Sequence, residues 1–422
     1  MNEPNARAVR AEVLRMGAQG DGVCRTPDGG TVFAPFTLPG EQVSLALSGQ
    51  RGEVEAVLSP SVERVAAPCR HFGACGGCAL QHWAHGPYLA WKQEVLREAL
   101  ARERLETHFL EPFAAPPGAR RRLALHARRG ERGQGARLGY KGRRSWSLVD
   151  IEVCPIADPR LQAAFPALAQ LAAPFLEHPK SAPTLHVTLT QTGLDVDVTG
   201  VERRSGGLSA DARMRAAQIA AEADLARVTL AGEILYQARQ PMVSLGPTVA
   251  ALPPGGFLQA VPQAEAAMAQ TALAAMAGAA RIADLFCGLG TFTFRLAALA
   301  PVLAADSDGR AIEALARAAG TASGLKSITV QTRDLFRRPV LADELKRIDA
   351  VLFDPPRAGA ADQARQIAKS GAAVAVGVSC DAASFAHDAR ILVEGGFRLE
   401  HVQLVDQFLW SPHVELVGVF RR

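Results

Sequence analysis

ADLFCGLGTFTF (residues 283–294), FDPPRAG (residues 353–359) and VSC (residues 378–380) decide the fold of this 422-residue chain. Each motif closes an apolar, β-branched run that is typical of a buried parallel strand. The carboxyl ends of parallel strands share one edge of a sheet, and open α/β sheets bind their ligands at that edge. A glycine turn, an acidic Pro-Pro loop and a thiol gathered there predict a transferase with a cofactor, a substrate and a nucleophilic cysteine.

The C-terminal part of the chain alternates strands with helices. From about residue 252 the composition becomes alanine-rich, and apolar runs of strand length alternate with runs of helical periodicity, one of which predicts a helix at residues 292–300. Seven strands that end in an antiparallel-looking pair are typical of one α/β class. We therefore predict an α/β class I (Rossmann-like) methyltransferase domain with a seven-stranded sheet over residues 251–422.

The front of the chain has a different pattern. Residues 1–62 form short apolar runs between Gly and Pro turns, which predicts a small β-barrel of the oligonucleotide-binding kind, although other small barrels fit too. Residues 63–250 hold a cysteine-rich segment, a helix at residues 88–106 and several strands, which predicts a mostly β central domain. The N-terminal stretch is polar and charged, and no run of eighteen apolar residues occurs. We expect a cytoplasmic monomer without a membrane partner.

The excess of positive charge lies in the front part. Residues 251–422 contain 17 basic and 17 acidic residues, which leaves 29 basic and 25 acidic residues in residues 1–250. Tyr140 and Trp146 lie in or beside an arginine-rich run at residues 120–144, where Glu131 is the one acid. This run fits a phosphate-binding surface with stacking partners, or equally a solvated hairpin. Its ten basic residues are Arg120, Arg121, Arg122, Arg128, Arg129, Arg132, Arg137, Lys141, Arg143 and Arg144.

The cysteines predict a metal centre. Seven cysteines, an odd number, argue against a disulfide framework. Cys69, Cys75 and Cys78 form a C-x5-C-x2-C triplet in a turn-rich segment, and Cys154 offers a fourth thiolate. Four thiolates fit structural zinc or an iron–sulfur cluster. Zinc sites usually come as two C-x2-C pairs and only one close pair exists here, so the spacing favours a 4Fe-4S cluster.

Three acids lie at or near the ends of successive predicted strands. They are Asp284, Asp306 and Asp334, and the turn between the first two carries a G-x-G without the third glycine of the dinucleotide fingerprint. S-adenosylmethionine is usually held by such a turn, with one carboxylate on the ribose hydroxyls and another acid beside the adenine. Each acid alone also fits a solvated strand end or a helix cap. Three acids at matching strand ends favour an S-adenosylmethionine site.

Cys380 and Glu415 are the candidate reactive groups. Cys380 ends a predicted strand and starts a turn into a helix, whose N-terminus would lower the thiol pKa; a buried structural cysteine is the alternative. Glu415 lies in the last predicted strand, VELVGVF, where burial of a carboxylate is costly unless it pairs or works. If its side chain points outward instead, no such role follows.

These motifs, taken together and over nearly the whole chain, resemble those of the uracil-C5 RNA methyltransferases, which make 5-methyluridine in ribosomal or transfer RNA. The front barrel resembles that family's TRAM domain, and the cysteine set is similar to its 4Fe-4S site. The resemblance implies a TRAM-like barrel at 1–62, an RNA-binding domain with the cluster at 63–250, and the methyltransferase domain at 251–422. The segments that carry it are PCRHFGACGGC, CPIADPRL, GGFLQAVPQAE, DLFCGLGTFT, FDPPRAG, VSC and HVELV.

The resemblance also implies the roles of single residues. Asp354 would lie beside the cofactor and the target base, Cys380 would be the nucleophile and Glu415 the general base. Asp381 and Ala382 stand where the family usually has Asn-Pro, and an acid beside the nucleophile would raise its pKa. Asp306 stands where Glu is commoner. The residues implied to contact S-adenosylmethionine are Gln259, Phe286, Thr291, Asp306 and Asp334.

The expected function is methylation of uracil C5 in RNA, with ribosomal RNA favoured because transfer RNA enzymes of the family usually lack the cluster and the front barrel. Transfer RNA stays an alternative substrate. Cytosine-C5 methylation would require a Pro-Cys where this chain has Asp354-Pro355, and base-amine methylation requires neither Cys380 nor Glu415. A non-catalytic RNA-binding or redox-sensing protein is the alternative of another class.

Overall fold

Five N-terminal strands close into a barrel. The computed structural model describes residues 8–130, 135–202 and 207–422. The barrel strands are β1 Ala8–Met16, β2 Asp21–Arg25, β3 Thr31–Pro35, β4 Gln42–Ser48 and β5 Arg51–Ser59. They are ordered β1-β2-β3-β5-β4. Because side chains alternate along each strand, Val13, Cys24 and Leu45 fill the interior.

A turn-rich segment, residues 60–84, carries the cysteine triplet and leads into helix α1 His85–Arg102. Two short strands follow, β6 His108–Phe109 and β7 Phe113–Ala114. The helix begins three residues before the predicted helix and ends four residues earlier, since Arg104 takes a left-handed φ of 58°.

The central sheet has seven strands. They are β8 Arg122–Arg129, β9 Ala136–Lys141, β10 Leu148–Asp150, β11 Thr184–Thr190, β12 Gly193–Thr199, β13 Arg227–Leu230 and β14 Glu233–Gln237. Their order is β10-β9-β8-β11-β12-β13-β14. Helices α2 Pro159–Ala163, α3 Phe165–Ala172 and α4 Ala210–Glu222 belong to the same region, with α3 and α4 supplying core residues. Glu131 and Arg132 of the arginine-rich run lie outside the described residues.

A hairpin of β15 Met242–Leu245 and β16 Thr248–Ala251 connects to the C-terminal sheet. The strands of that sheet are β17 Ile282–Leu285, β18 Val302–Asp306, β19 Ile328–Thr332, β20 Ala350–Phe353, β21 Val374–Ser379, β22 Arg398–Asp406 and β23 Leu416–Arg421. Its helices are α5 Pro262–Ala275, α6 Thr293–Leu296, α7 Gly309–Thr321, α8 Ala361–Lys369 and α9 Ala382–Glu394.

The C-terminal sheet is larger than the predicted seven strands. Its order is β19-β18-β17-β20-β21-β23-β22-β6, and β7 also pairs with β22. Strand β23 runs antiparallel between β21 and β22, whereas the other pairs are parallel. All four residues of β17 and of β20 are buried, as expected for central parallel strands. Helix α6 is one turn long, shorter than the helix predicted at residues 292–300.

Glycines let α9 pack closely on this sheet. A Cβ atom on Gly418 of β23 would collide with the ring of Phe385 on α9. Phe385 and Phe420 pack with centroids 6.0 Å apart. This packing fixes the direction in which the chain turns at the end of β21. In the described residues, no helix is long and apolar enough to cross a membrane.

Candidate active site

A cavity of about 630 Å³ opens between the central sheet and the carboxyl edge of the C-terminal sheet. Parallel strands β17, β18, β20 and β21 all end at this edge, so their loops converge on it. The central sheet supplies the opposite wall through Arg122 and His186. The predicted residues on the wall are Gln259, Phe286, Asp306, Asp354, Cys380 and Glu415.

The glycine turn after β17 is held by the acid at the end of β18. Asp306 Oδ2 accepts a hydrogen bond from Gly288 N at 2.9 Å, and its Oδ1 accepts one from Asp308 N at 2.8 Å. Phe286 takes a φ of 62°, which is rare for a bulky residue, and its ring lies 5.5 Å from that of Phe336. The turn is therefore a strained, fixed wall of the cavity rather than a loose loop.

Two carboxyl groups, those of Asp284 and Asp354, lie near this turn. Asp284 is fully buried, its Oδ2 accepts from Thr293 Oγ1 at 2.6 Å, and its Oδ1 has no hydrogen-bond partner among the described residues. Burial, with Asp354 and Asp306 nearby, raises the pKa of Asp284 to about 7. Burial and Asp306 likewise raise the pKa of Asp354 to about 7. This end of the cavity would favour a positively charged ligand.

Glu415 faces the cavity from the residue before β23, not from within the strand as the sequence predicted. Its side chain is buried, which rejects the outward orientation. Gln407 Nε2 donates to Glu415 Oε2 at 2.6 Å and to Gln259 Oε1 at 2.8 Å. Burial and the charge of Asp354 raise the pKa of Glu415 to about 8, against the opposing bond from Gln407. A carboxyl group so tuned can exchange a proton near neutral pH.

Cys380 follows β21 and precedes α9, as predicted, and its thiol lines the cavity. Its pKa is raised rather than lowered, because burial comes first and the charge of Glu415 second. The Arg357 guanidinium hydrogen-bonds to the thiol and opposes that rise. Arg357 Nη2 in turn lies 2.9 Å from His413 Nδ1.

Asp381 has a structural role that the sequence did not predict. Its Oδ1 accepts hydrogen bonds from Ala383 N at 3.1 Å and Ser384 N at 2.9 Å, so it is the N-cap of α9. The charges that raise the pKa of Cys380 come from Glu415 and Asp354 and not from this neighbour.

Two predicted cofactor residues lie off the cavity wall. Asp334 Oδ1 accepts from Phe336 N at 3.0 Å and Arg337 N at 3.2 Å, and the cavity is lined by the following residues instead. Thr291 is buried behind the turn. Three site residues were not predicted: Gln407, Arg357 and His413. Arg357 follows the acidic Pro-Pro loop directly, which was a usable signal; the other two carried none.

The four predicted cysteines line one cavity, although Cys154 lies far from the other three in sequence. Cys69, Cys75, Cys78 and Cys154 line a second cavity, of about 250 Å³, and all seven cysteines of the chain are free thiols. Burial raises the pKa of the Cys75 and Cys154 thiols, and that of Cys78 to about 12. Among the described residues no three His, Cys, Asp or Glu side chains are grouped to hold a single metal ion.

The arginine-rich run is only partly free for a ligand. Tyr140 is not an open stacking surface, because it lines the cysteine cavity and hydrogen-bonds to Cys154. Trp146 is 77% exposed, with Lys141 Nζ 4.0 Å from its ring centroid. Four arginines are paired with carboxylates, and the pairs are Arg121–Glu265, Arg137–Asp150, Arg143–Asp21 and Arg144–Asp21.

The sheet order, the fixed glycine turn and the acidic strand ends define the class I methyltransferase type of α/β domain. No protein-family model matches the chain. The chain is 65% identical over 407 residues to the uncharacterized RNA methyltransferase of Caulobacter vibrioides, covering 96% of this chain and 98% of that protein. It is 33% identical over 447 residues to the 23S rRNA (uracil(1939)-C(5))-methyltransferase RlmD of Chromohalobacter salexigens, covering 99% and 90%.

The chain therefore belongs to the RNA methyltransferase family, and the expectation of an enzyme is confirmed. A solved structure shares its fold over almost the whole length. The Pyrococcus abyssi tRNA (uracil-54, C5)-methyltransferase, solved in complex with S-adenosyl-L-homocysteine, superimposes with a TM-score of 0.73 at 23% identity, covering 97% of this chain and 99% of that chain.

Proposed function

We propose that this chain transfers the methyl group of S-adenosylmethionine to C5 of a uridine in 23S ribosomal RNA. The observation that carries the proposal is that one cavity holds the Cys380 thiol, the Glu415 carboxyl group and the glycine turn. The 33% identity to a 23S ribosomal RNA uracil-C5 enzyme supports this base and this RNA. The likeness to a transfer RNA enzyme supports the fold alone.

The acidic end of the cavity fits a cationic methyl donor. Asp354 lines the cavity, and Asp284 Oδ1 beside the glycine turn is a buried oxygen without a hydrogen-bond partner among the described residues. Burial raises the pKa of both carboxyl groups to about 7, and a cation beside them would favour their ionised forms. Asp306, which already orders the turn, lies on the wall where ribose hydroxyls would bind. When bound, S-adenosylmethionine supplies an electrophilic methyl group on a positively charged sulfur. Gln259 and Phe286, which also line the cavity, would contact S-adenosylmethionine.

Cys380 and Glu415 then divide the chemistry. The Cys380 thiolate adds to uracil C6, which makes C5 of the resulting enolate nucleophilic toward the methyl group. After C5 is methylated, the Glu415 carboxylate removes the C5 proton and the Cys380 sulfur leaves. Arg357 stabilises the thiolate through its hydrogen bond. The uracil must be unstacked to enter the cavity, as in other base-modifying enzymes.

We assign the four-cysteine cavity to an iron–sulfur cluster rather than zinc because the cysteine spacing contains only one close C-x2-C pair. Cys69, Cys75, Cys78 and Cys154 surround one space, yet no three side chains in the described ranges are grouped for one ion. In a 4Fe-4S cluster each of the four cysteine sulfurs binds a different iron, so the four thiols need not all reach one ion. The cluster would be structural, because methyl transfer by a thiolate needs no electrons. Stoichiometric zinc in anaerobically purified, colourless protein would contradict this assignment.

The first test is nucleoside mass spectrometry of ribosomal and transfer RNA from a strain that lacks the protein. Loss of 5-methyluridine at one large-subunit site, restored by the wild-type chain but not by Cys380→Ala, is the expected result. Loss of 5-methyluridine from transfer RNA would instead identify transfer RNA as the substrate. Unchanged 5-methyluridine with another methylated base missing would overturn the reaction. Methylation that persists in the Cys380→Ala strain would exclude the covalent route.

A further inference from the structure

Residues 407–415, which we name the base loop, connect β22 to β23 and lie between the two cavities. Gln407 and Glu415 line the active cavity, whereas Leu409 and His413 line the cysteine cavity. Phe408 lines both cavities. The loop that carries the proposed general base is thus also part of the wall around the four thiols.

The base loop is fastened to the chain that follows the cysteine triplet. The carbonyl oxygen of Trp410 accepts hydrogen bonds from Ala79 N at 2.8 Å and Leu80 N at 3.0 Å, directly after Cys78. Trp410 has a left-handed φ of 59°, a conformation that needs such support in a non-glycine residue. Leu80 and Leu409 also pack in one buried cluster, so side-chain packing joins the two segments as well.

A buried tyrosine ties the loop to helix α1. Tyr88 Oη accepts from Trp410 N at 2.9 Å and donates to Asp406 Oδ2 at 2.7 Å. Lys92 Nζ donates to the other oxygen of Asp406 at 2.6 Å, and all three side chains are buried. Because these side chains are buried, removing one leaves its partner as an unpaired buried group.

The other face of the loop reaches the reacting residues. Gln407 orients Glu415 through its 2.6 Å hydrogen bond, and its Oε1 accepts from Ala260 N at 3.1 Å. His413 contacts Arg357 at 2.9 Å, and Arg357 hydrogen-bonds to Cys380. The base loop therefore holds Glu415 directly through Gln407, and it reaches Cys380 indirectly through His413 and Arg357.

We propose that the base loop couples the four-cysteine site to the catalytic pair, with Tyr88 and His413 as positioning residues. This inference rests on the proposed function. An intact cysteine site keeps Ala79 and Leu80 in place, which keeps Trp410 in place, and Gln407 and His413 then hold Glu415 and Arg357. Loss of order at the cysteine site releases the loop and disables the reaction without touching a reacting atom.

The first test compares Tyr88→Phe with Tyr236→Phe, a matched loss of a hydroxyl on edge strand β14. For Tyr88→Phe we expect faster amide exchange in residues 407–415, kcat lowered about tenfold, and Kd values for S-adenosylmethionine and RNA within about twofold of wild type. Tyr236→Phe should match wild type in all four. Unchanged exchange in the loop of Tyr88→Phe would overturn the role of Tyr88.

A second pair of variants keeps the inference testable if Tyr88→Phe folds poorly. His413→Gln, whose amide oxygen can still accept a hydrogen bond from Arg357, should keep most of the activity that His413→Ala loses. In the pH profile of kcat/KM, His413→Ala should shift the part that reports ionisation of the Cys380 thiol, the thiol limb, to higher pH. Equal loss in both variants with an unmoved profile would mean that His413 does not act through Arg357.

The coupling itself is tested by hydrogen exchange on Cys69→Ser and wild-type protein. Faster exchange in residues 407–415, with unchanged exchange in α7, is expected although no residue of the loop is altered. Exchange that stays as in wild type would overturn the coupling even if activity is lost. The two proposals can also fail separately. If Cys69→Ser shows faster exchange in residues 407–415 but the wild-type protein makes no 5-methyluridine, the proposed function is overturned and the coupling is supported.

Discussion

Glu415 combines a buried position with a pKa raised to about 8, and this combination sets what the residue can do. Burial alone would leave it a permanently protonated acid. The hydrogen bond from Gln407 favours the ionised form, so the group can accept a proton and later return it. A cationic ligand beside Asp354 would also lower the pKa of Glu415. Binding of the methyl donor would therefore favour the ionised form of Glu415, which is the form that accepts a proton.

Replacing this base should trap the reaction halfway. In Glu415→Gln the thiolate can still add to C6 and C5 can still be methylated, but the C5 proton has no acceptor. We expect multiple turnover to fall at least about 1,000-fold, while a protein–RNA adduct resistant to denaturation accumulates. Denaturing gel electrophoresis with labelled RNA measures the adduct. The double variant Glu415→Gln/Cys380→Ala is the control and should form none. If Glu415→Gln also forms no protein–RNA adduct, Glu415 is not the base that removes the C5 proton.

The raised pKa values predict an alkaline enzyme. A general base and a thiolate both act in their deprotonated forms, and the pKa of each is raised, so kcat/KM should fall as the pH drops, with the Glu415 limb near pH 8 and the Cys380 limb at higher pH. The profile of kcat should bend at lower pH than that of kcat/KM, because the bound donor adds positive charge. Removing the Arg357 guanidinium in Arg357→Gln should move the thiol limb to higher pH. A kcat/KM independent of pH from 6 to 9 would contradict both assignments.

At the scale of elements, Cys380 stands where a strand ends and the next helix begins, whereas Glu415 stands just before a strand begins. Cys380 lies between β21 and α9, and Asp381 caps that helix. Asp381→Ala should lower the free energy of unfolding by about 1 kcal/mol and the Tm by about 2–4 °C. Asp381→Asn keeps the cap and should leave both the Tm and the pH profile unchanged. A thiol limb that moves to lower pH in Asp381→Asn would show that the charge of Asp381 does act on Cys380.

The sequence was most informative where an element has a strong local pattern. Strands β17, β20 and β21 were predictable because buried parallel strands are continuous apolar runs. Strands β6 and β7 were not, because two residues carry no periodicity and their place is set by pairing with distant β22. Helix α6 was predicted too long, since apolar loop residues 297–300 continue its pattern.

The site divides in the same way. Cys380, Glu415 and the cysteine triplet could be proposed from the sequence as candidates because their residue types are chemically distinctive next to strands and turns. Gln407 and His413 could not, because a neutral amide and a lone imidazole acquire a role only through partners far along the chain. The arginine-rich run was ambiguous for a related reason: Arg121, Arg143 and Arg144 find their carboxylates in other parts of the fold.

At the scale of the whole molecule, ion pairs between distant segments hold the barrel against the central sheet. Arg143 and Arg144, on the turn between β9 and β10, both bond the buried carboxylate of Asp21 at the start of β2. The barrel residues Met16 and Leu38 pack in the cluster that also contains Leu80. The three predicted domains thus meet around the segment that follows the cysteine triplet.

Asp21→Ala should loosen this junction, because it leaves two guanidinium groups without their shared carboxylate. We expect the free energy of unfolding to fall by about 2–3 kcal/mol, with amide exchange in β1–β5 rising before exchange in β17–β21. Asp150→Ala is the matched control: it breaks the solvent-exposed pair with Arg137 and should cost no more than about 1 kcal/mol. S-adenosylmethionine affinity should stay unchanged in both variants, since neither residue lines the active cavity. Two results would contradict this prediction. The two variants could destabilise the protein equally, or the barrel and the C-terminal sheet could exchange at the same time in Asp21→Ala; either would mean that the Asp21 ion pairs do not hold the barrel to the rest of the protein.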